Sequence, residues 1–260
     1  DQRDMSLLRD LAKSGTAHVR PLYLGVAPKL EPLTFYVPAY NVECYIRRTI
    51  EALVGQNYPL AEIIVVDDGS SDGTLEAVKE YPVRLIEFGE NRGLAAARNA
   101  AFNAAVTPFV GSVDADVVAD ADYATHIMIE YENAAANLSG VGGRLIEEFV
   151  DTPGDAWRAC HIPQGWYPHR MYFDGFPQDV SGHCDSPYCE VFFLNGCNNV
   201  FRRESVLRSG GYNEKYRTNS EDATMCVALR MHGFHLAFTR GAISRHARRD
   251  TPESVLRTLW

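Results

Sequence analysis

The stretch Val65-Val66-Asp67-Asp68-Gly69-Ser70-Ser71-Asp72-Gly73-Thr74 decides how the chain reads. A β-branched apolar run stops at two carboxylates and enters a cluster of Gly, Ser and Asp. Runs of the first kind form buried strands, and clusters of the second kind form turns. Asp72 stands where it can cap a following helix. The same grammar repeats outward. Leu33 to Val37, Glu62 to Val66, Val83 to Phe88 and Phe109 to Val113 are further short apolar runs. Helical patterns lie between them, at Cys44 to Val54, Asp72 to Tyr81 and Gly93 to Val106. Strand, helix, strand at this spacing is the βαβ unit, whose crossovers build a parallel sheet. The strands are apolar on both faces, as a sheet covered by helices on both sides requires.

The expected fold is therefore α/β, a nucleotide-binding, mostly parallel sheet with helices on both faces, followed by a more irregular half. Residues 1–32 read as a helix (Met5, Leu7, Leu8, Leu11) and an extension ending at Pro32. Residues 33–140 form the nucleotide-binding half and 141–250 the second half of the same domain. A helix from Asp122 to Asn137 joins them and leads to a strand near Val141 to Phe149. From 150 to 190 prolines and aromatics follow no period, which marks a functional loop region. Regular pattern returns at Val191 to Phe201, in a helix from Ser220 to His232 and in a strand at His235 to Thr239. Residues 251–260 start an amphipathic helix (Val255, Leu256, Leu259, Trp260), a candidate for peripheral membrane contact.

Composition narrows the partners. The 260 residues carry 25 Lys and Arg against 34 Asp and Glu, a net charge of −9, which disfavours nucleic acid as a partner. No run approaches the ~18–20 apolar residues that span a bilayer. Asp1 to Leu11 is charged and lacks the apolar core of a signal peptide, so a cytoplasmic protein with reduced thiols is expected, with the cytoplasmic face of a membrane as an alternative. His183, Cys184 and Cys189, with Cys160, His161 and His169, suggest zinc, but no second closely spaced pair completes a site, and a loop with reduced cysteines is preferred.

In open parallel sheets ligands bind at the carboxyl ends of the strands. Those ends carry Pro38-Ala39-Tyr40-Asn41, the Asp67 to Thr74 turn, Asn91-Arg92-Gly93 with Ala97-Arg98-Asn99 on the next helix, and Asp114-Ala115-Asp116. Each turn alone has a structural explanation; their convergence on one rim does not. Two carboxylates two residues apart suit a hard divalent cation shared with phosphate oxygens. No GxGxxG follows the first strand and no GxxxxGK[ST] occurs, which disfavours dinucleotide and P-loop chemistry.

Taken together and in this order, these motifs resemble the family-2 glycosyltransferases of GT-A fold, over roughly residues 33 to 250. The resemblance implies a nucleoside-diphosphate sugar donor (UDP most often, with GDP and dTDP sharing the motifs), Mn2+ or Mg2+ as cofactor, and inversion at the anomeric carbon. It implies that Pro38, Tyr40, Asp68, Arg98, Asp114 and Ala115 bind the nucleotide sugar, with Tyr40 and Asp68 at the base and Asp114 near the ribose. It places Asp116 on the metal, joined by His246, although a surface histidine among arginines is an equal reading. Asn195 to Arg203 resembles the strand beside donor and acceptor, which makes Gly196 and Asn198 acceptor candidates. Gly210 to Glu214 resembles the turn after it, and Ser220-Glu221-Asp222 the acidic pair that supplies a catalytic base. Asp222 is the expected base, with Glu221 orienting the acceptor or the base. Ser220 is equally a good N-cap, with acids in the first turn favoured by the helix dipole. Trp166 is the aromatic chosen to stack on an acceptor sugar, against a reading in which the loop aromatics form their own small core. The acceptor itself is a glycan, lipid-linked or other hydroxyl. A non-catalytic GT-A binding module and a sugar nucleotidyltransferase are the alternatives. The intact acids count against the first, and Pro38-Ala39-Tyr40-Asn41 in place of a glycine-rich basic loop counts against the second.

Overall fold

A computed structural model describes residues 30–156, 188–217, 220–249 and 251–253. The expected N-terminal helix, the loop aromatics including Trp166, most of the Cys/His group and the C-terminal helix beyond residue 253 lie outside the described residues. The first half alternates as expected: β1 (Leu33–Ala39), α1 (Ile46–Val54), β2 (Glu62–Asp67), α2 (Thr74–Val78), β3 (Arg84–Glu87), α3 (Leu94–Ala104), β4 (Phe109–Val113), β5 (Val117–Ala119) and α4 (Tyr123–Asn133). The second half contributes β6 (Leu138–Glu147), β7 (Tyr188–Val191), β8 (Asn198–Arg202), α5 (Arg203–Arg208), α6 (Glu221–Met231) and β9 (His235–His246).

The nine strands of the described residues join one sheet, ordered β3-β2-β1-β4-β8-β6-β9-β5, with β7 also on β9. Strands β3, β2, β1 and β4 are parallel, as the βαβ spacing requires. Strand β8 then enters antiparallel between β4 and β6, and β5 and β7 pair antiparallel with β9. Parallel pairing thus characterises the front of the sheet, and the back is mixed. The order reverses at β1, whose neighbours β2 and β4 lead away in opposite directions; a crevice opens at such a switch point.

Alternating side chains of the strands feed two cores. Leu33, Phe35, Val37 and Ala39 of β1 face one side, against Ile46, Ile50 and Leu53 of α1 and Tyr123, Ile127 and Tyr131 of α4. Tyr36 faces the other, with Ala97, Ala101 and Phe102 of α3 and Met225 and Leu229 of α6. Each fully buried Leu, Ile or Phe contributes about 1.5–3 kcal/mol, so both helical layers are fixed to the sheet.

Two elements differ from the sequence expectation. The run Val191 to Phe201 divides into β7 and β8 around a turn at 192–197, and that turn carries Gly196 into the crevice. Strand β9 continues to His246 instead of ending at Thr239, because residues 239–242 bulge out of register with β6 between Gly142 and Arg144 and pairing then resumes. The break at Arg240-Gly241 reads in sequence as a strand end; in the fold it is a bulge that lengthens the strand toward the crevice.

Candidate active site

The first two strand-end turns hold each other. Asp67 is buried, and its Oδ2 accepts the backbone N–H groups of Gly69 and Ser70 at 3.1 Å each. Ser70 Oγ accepts Asn41 N–H at 3.0 Å, Asn41 Oδ1 accepts Ser71 N–H at 2.8 Å, and Thr74 Oγ1 accepts Val42 N–H at 2.9 Å. Asp72 Oδ1 accepts Thr74 N–H at 3.0 Å at the start of α2. Gly69 has φ +77°, and a Cβ there would lie 2.6 Å from the Glu90 carbonyl carbon, so only glycine lets this turn approach the next one. Asp68 closes the set. Its two oxygens accept the N–H groups of Arg92 and Gly93, at 2.6 and 2.9 Å.

Two adjoining clefts share Leu94, Asp114 and Asp116. One, of about 220 Å3, is lined by Pro38, Tyr40, Asp68, Ala97 and Ala115 among others. It is apolar, with Asp68 at one wall and Tyr40 half exposed, a surface suited to a flat base and a ribose. The other, of about 210 Å3, is lined by Arg98, Gly196, Cys197, Glu221, Asp222, His246 and Arg248, among others. Residues from β1, α3, β6, α6 and β9, and from the turns after β2 and β4 and before β8, thus converge at the reversal of strand order.

Arg98 ties the clefts together from below. It is 1% exposed. Its Nη1 donates to Ser112 Oγ at 2.7 Å, to the Gly196 carbonyl at 2.6 Å and to the Tyr36 hydroxyl at 3.4 Å. Its Nη2 donates to Asp114 Oδ1 at 3.1 Å, and its Nε lies 3.5 Å from Glu221 Oε1. Glu221 is buried, and burial pushes its pKa up against the pull of Arg98. Asp114 is shifted the same way, by desolvation first, with Arg98 opposing and Asp116 adding.

Asp222 sits in the first turn of α6. Its Oδ2 accepts the Gly196 N–H at 2.9 Å and its Oδ1 accepts the Ala223 N–H at 2.7 Å. Gly196 is therefore held at both ends, by Asp222 at its N–H and by Arg98 at its carbonyl. A Cβ on Gly196 would stand 2.6 Å from Arg98 Nη2. Ser220 occupies the N-cap position in a left-handed conformation (φ 69°), and its hydroxyl makes no cap bond. The reading of Ser220 as a side-chain cap is thus corrected: the backbone turn, aided by Thr224 N–H on the Ser220 carbonyl at 3.0 Å, starts the helix.

His246 is also buried. Its Nδ1 is 2.9 Å from Glu147 Oε2 and its Nε2 is 3.2 Å from Asp116 Oδ2. Burial lowers its pKa, but hydrogen bonds to Asp116 and Glu147 outweigh this and raise it to about 9. A carboxylate on one imidazole nitrogen fixes the other as a ligand atom. The 3.2 Å contact between Asp116 and His246 is itself a hydrogen bond, so the two side chains would hold a cation only once it displaced the Nε2 proton. Among the described residues no group of three or more His, Cys, Asp or Glu side chains forms a complete metal site. A cation here would take its remaining ligands from phosphate or water, as an open site does.

Asn198 turns away from the clefts. It is buried, and its amide donates to the Gly143 carbonyl at 2.9 Å and to Ser244 Oγ at 3.2 Å, joining β8 to β6 and β9. Glu147, Tyr36 and Ser112 were not singled out by sequence. Glu147 ends β6 as the register partner of His246, a pairing that only the parallel β6–β9 ladder reveals. Cys44, Cys197 and Cys226 form no disulfide among the described residues. No helix among the described residues is long and apolar enough to cross a membrane.

Comparison with known proteins agrees with this geometry. Residues 34–208 match glycosyl transferase family 2. Succinoglycan biosynthesis protein ExoO of Rhizobium meliloti is 39% identical over 239 residues, 88% of this chain and 67% of that protein. Glycosyltransferase GlyA of Streptococcus pneumoniae is 37% identical over 110 residues, 39% of this chain and 16% of that protein, so the chain spans only a minor part of such a relative. The mannosyltransferase PcManGT from Pyrobaculum calidifontis, solved in complex with GDP-Man and Mn2+, superimposes with a TM-score of 0.61 at 23% identity, over 95% of this chain and 66% of that one. The strand-end motifs, the sheet that carries them and these likenesses agree: the chain belongs to glycosyl transferase family 2 and has the GT-A fold.

Proposed function

We propose that the chain transfers a sugar from a nucleoside-diphosphate sugar, UDP-linked by preference, to an acceptor hydroxyl with inversion at the anomeric carbon. The observation that carries this is Asp222, a carboxylate facing the same cleft as Asp114 and Asp116 and held by the Gly196 N–H. The nucleoside lies in the cleft of Pro38, Tyr40, Asp68 and Ala115, which leaves the diphosphate at the Asp114–Asp116 junction. Asp116 and His246 would hold Mn2+ or Mg2+, and the ion would supply positive charge to neutralise a departing diphosphate.

The chain's own groups do the rest. An acceptor hydroxyl is a weak nucleophile at neutral pH, and Asp222 takes its proton as the new bond forms. The Gly196 N–H and the Ala223 N–H fix the Asp222 carboxylate, so its orientation is set before substrate arrives. Attack on the face opposite the leaving group inverts the centre in one displacement, with no covalent intermediate on the protein. Glu221 and Arg98 stay in the floor as a buried charge pair that positions Gly196 and Asp114.

Titration with UDP-, GDP- and dTDP-sugars, with Mn2+, Mg2+ or EDTA, on wild type and Asp116→Ala tests the donor reading. Metal-dependent binding or slow hydrolysis of one donor, lost in the variant, supports it. Absence of binding by every donor, with and without metal, rejects it.

A further inference from the structure

Every arginine among the described residues has a partner except two. Arg47, Arg48, Arg84, Arg245 and Arg249 pair with carboxylates. Arg98 sits in its buried network, and the rest are engaged by carbonyls, amides, rings or other groups. The side chains of Arg144 of β6 and Arg240 of β9 make no hydrogen bond, ion pair or ring contact among the described residues. They are neighbours, since β6 and β9 run side by side and Arg240 lies in the bulge that separates the Gly142–Phe238 and Arg144–Ile243 pairs. Arg144 is half-buried, with its Nε shut off from solvent and unbonded, and Arg240 is exposed. Burial, with the charge of Arg240 beside it, lowers the Arg144 pKa. Two adjacent guanidiniums without a counter-charge cost stability. That they stand unpaired in a chain with 34 acidic residues against 25 basic ones points to an outside anion.

Their place says what brings it. Arg144 lies three residues before Glu147, so along β6 it is ~10 Å from the Glu147–His246–Asp116 group. Leu145, the next residue, points to the opposite face of β6 and lines the cleft from there. Alternation puts Arg144 on the face of Gly142, whose missing Cβ abuts Leu194, in the core shared with α6. That is the face from which Asp222 comes, and it is removed from the nucleoside cleft at β1 and β2. A guanidinium pair matches the charge and the paired oxygens of a phosphate better than a single carboxylate does.

We propose that Arg144 and Arg240 form an anion subsite for a phosphate or diphosphate group carried by the acceptor. Calling its ligand the acceptor rests on the transferase reading; the anion site itself does not. The probe is inorganic pyrophosphate, titrated calorimetrically into the chain in EDTA, so that no metal recruits it to Asp116. Wild type and Asp116→Ala bind it alike. Arg144→Gln and Arg240→Gln each weaken binding by about tenfold or more, and Arg144→Lys restores part of it. No binding by wild type, equal binding by the glutamine variants, or loss only in Asp116→Ala overturns the proposal. Donor binding with metal, measured on each variant, checks the fold; if it fails in wild type too, the transferase reading falls while the pyrophosphate result still decides the subsite.

A vesicle arm separates the sources. Phosphatidylcholine vesicles carrying a polyprenyl diphosphate are compared with vesicles brought to equal charge by phosphatidylglycerol. Glutamine-sensitive capture by the first alone supports a lipid-linked acceptor. Pyrophosphate binding without capture supports a water-soluble phosphorylated one. Equal capture by both, unchanged in the variants, assigns the contact to general surface charge and overturns the proposal.

Discussion

Replacing Arg98 by methionine tests how the floor of the site is built. The side chain is fully buried and bonds Ser112, Tyr36, Gly196 and Asp114, with Glu221 at 3.5 Å. Methionine fills much of the volume but removes the charge, leaving Glu221 and Asp114 desolvated without a counter-ion. Breaking a buried pair by removing one partner costs about 3–5 kcal/mol. At about 2–4 °C per kcal/mol for a chain of this size, the melting temperature falls by roughly 6–20 °C. The double variant Arg98→Met/Glu221→Gln recovers part of that loss, because one uncompensated acid is gone. Thermal and urea unfolding of the three variants give the cycle. A single-variant loss below about 1 kcal/mol, or no coupling between the positions, refutes the claim that Arg98 holds the floor by charge. Donor binding gives a second reading. If Arg98 instead touches the nucleotide, affinity falls in Arg98→Met while stability does not.

Three further outcomes follow from the same contacts. Gly196→Ala forces a Cβ to 2.6 Å from Arg98 Nη2 and shifts the N–H that holds Asp222; it costs about 1–3 kcal/mol in unfolding experiments and lowers transfer more than donor affinity. Glu147→Gln weakens the partner that fixes the His246 imidazole and lowers Mn2+ affinity about 10–100-fold, read by calorimetry in the presence of UDP. Glu221 has its folded pKa raised by burial, so folding favours its protonated form, and the stability of wild type falls as pH rises from the unfolded value through the folded one. Glu221→Gln therefore gains on wild type as pH rises through that window and shows no such gain below the unfolded pKa, near 4.3. A difference in urea midpoints that does not vary with pH contradicts this.

What was legible in the sequence is local. The alternation of β-branched runs with helical patterns announces β1 to β4, because both faces of those strands are covered and must be apolar. Asp68, Asp114, Asp116 and Tyr40 stand at strand ends and can be found by reading the turns. Contacts across the sheet are not legible. The partnership of Glu147 with His246 depends on the β6–β9 register, and the register depends on a bulge at 239–242 that sequence reads as an ending. The resemblance puts Arg98 near the nucleotide; that it is also buried against Tyr36, Ser112 and Glu221 at the floor of the cleft it lines is visible only in the fold. Asn198 is an acceptor candidate only through the resemblance of its strand, and in the fold its amide turns into the sheet.

The central claim is that Asp222 takes the acceptor's proton, and Asp222→Asn tests it most directly. The amide keeps the size of the carboxylate and still presents an oxygen to the Gly196 N–H, so folding and metal-dependent donor binding are retained. Transfer, followed as nucleoside diphosphate release with acceptor present, falls by about 10²–10⁴-fold. Transfer at the wild-type rate with donor binding intact contradicts the account and moves the base to another residue.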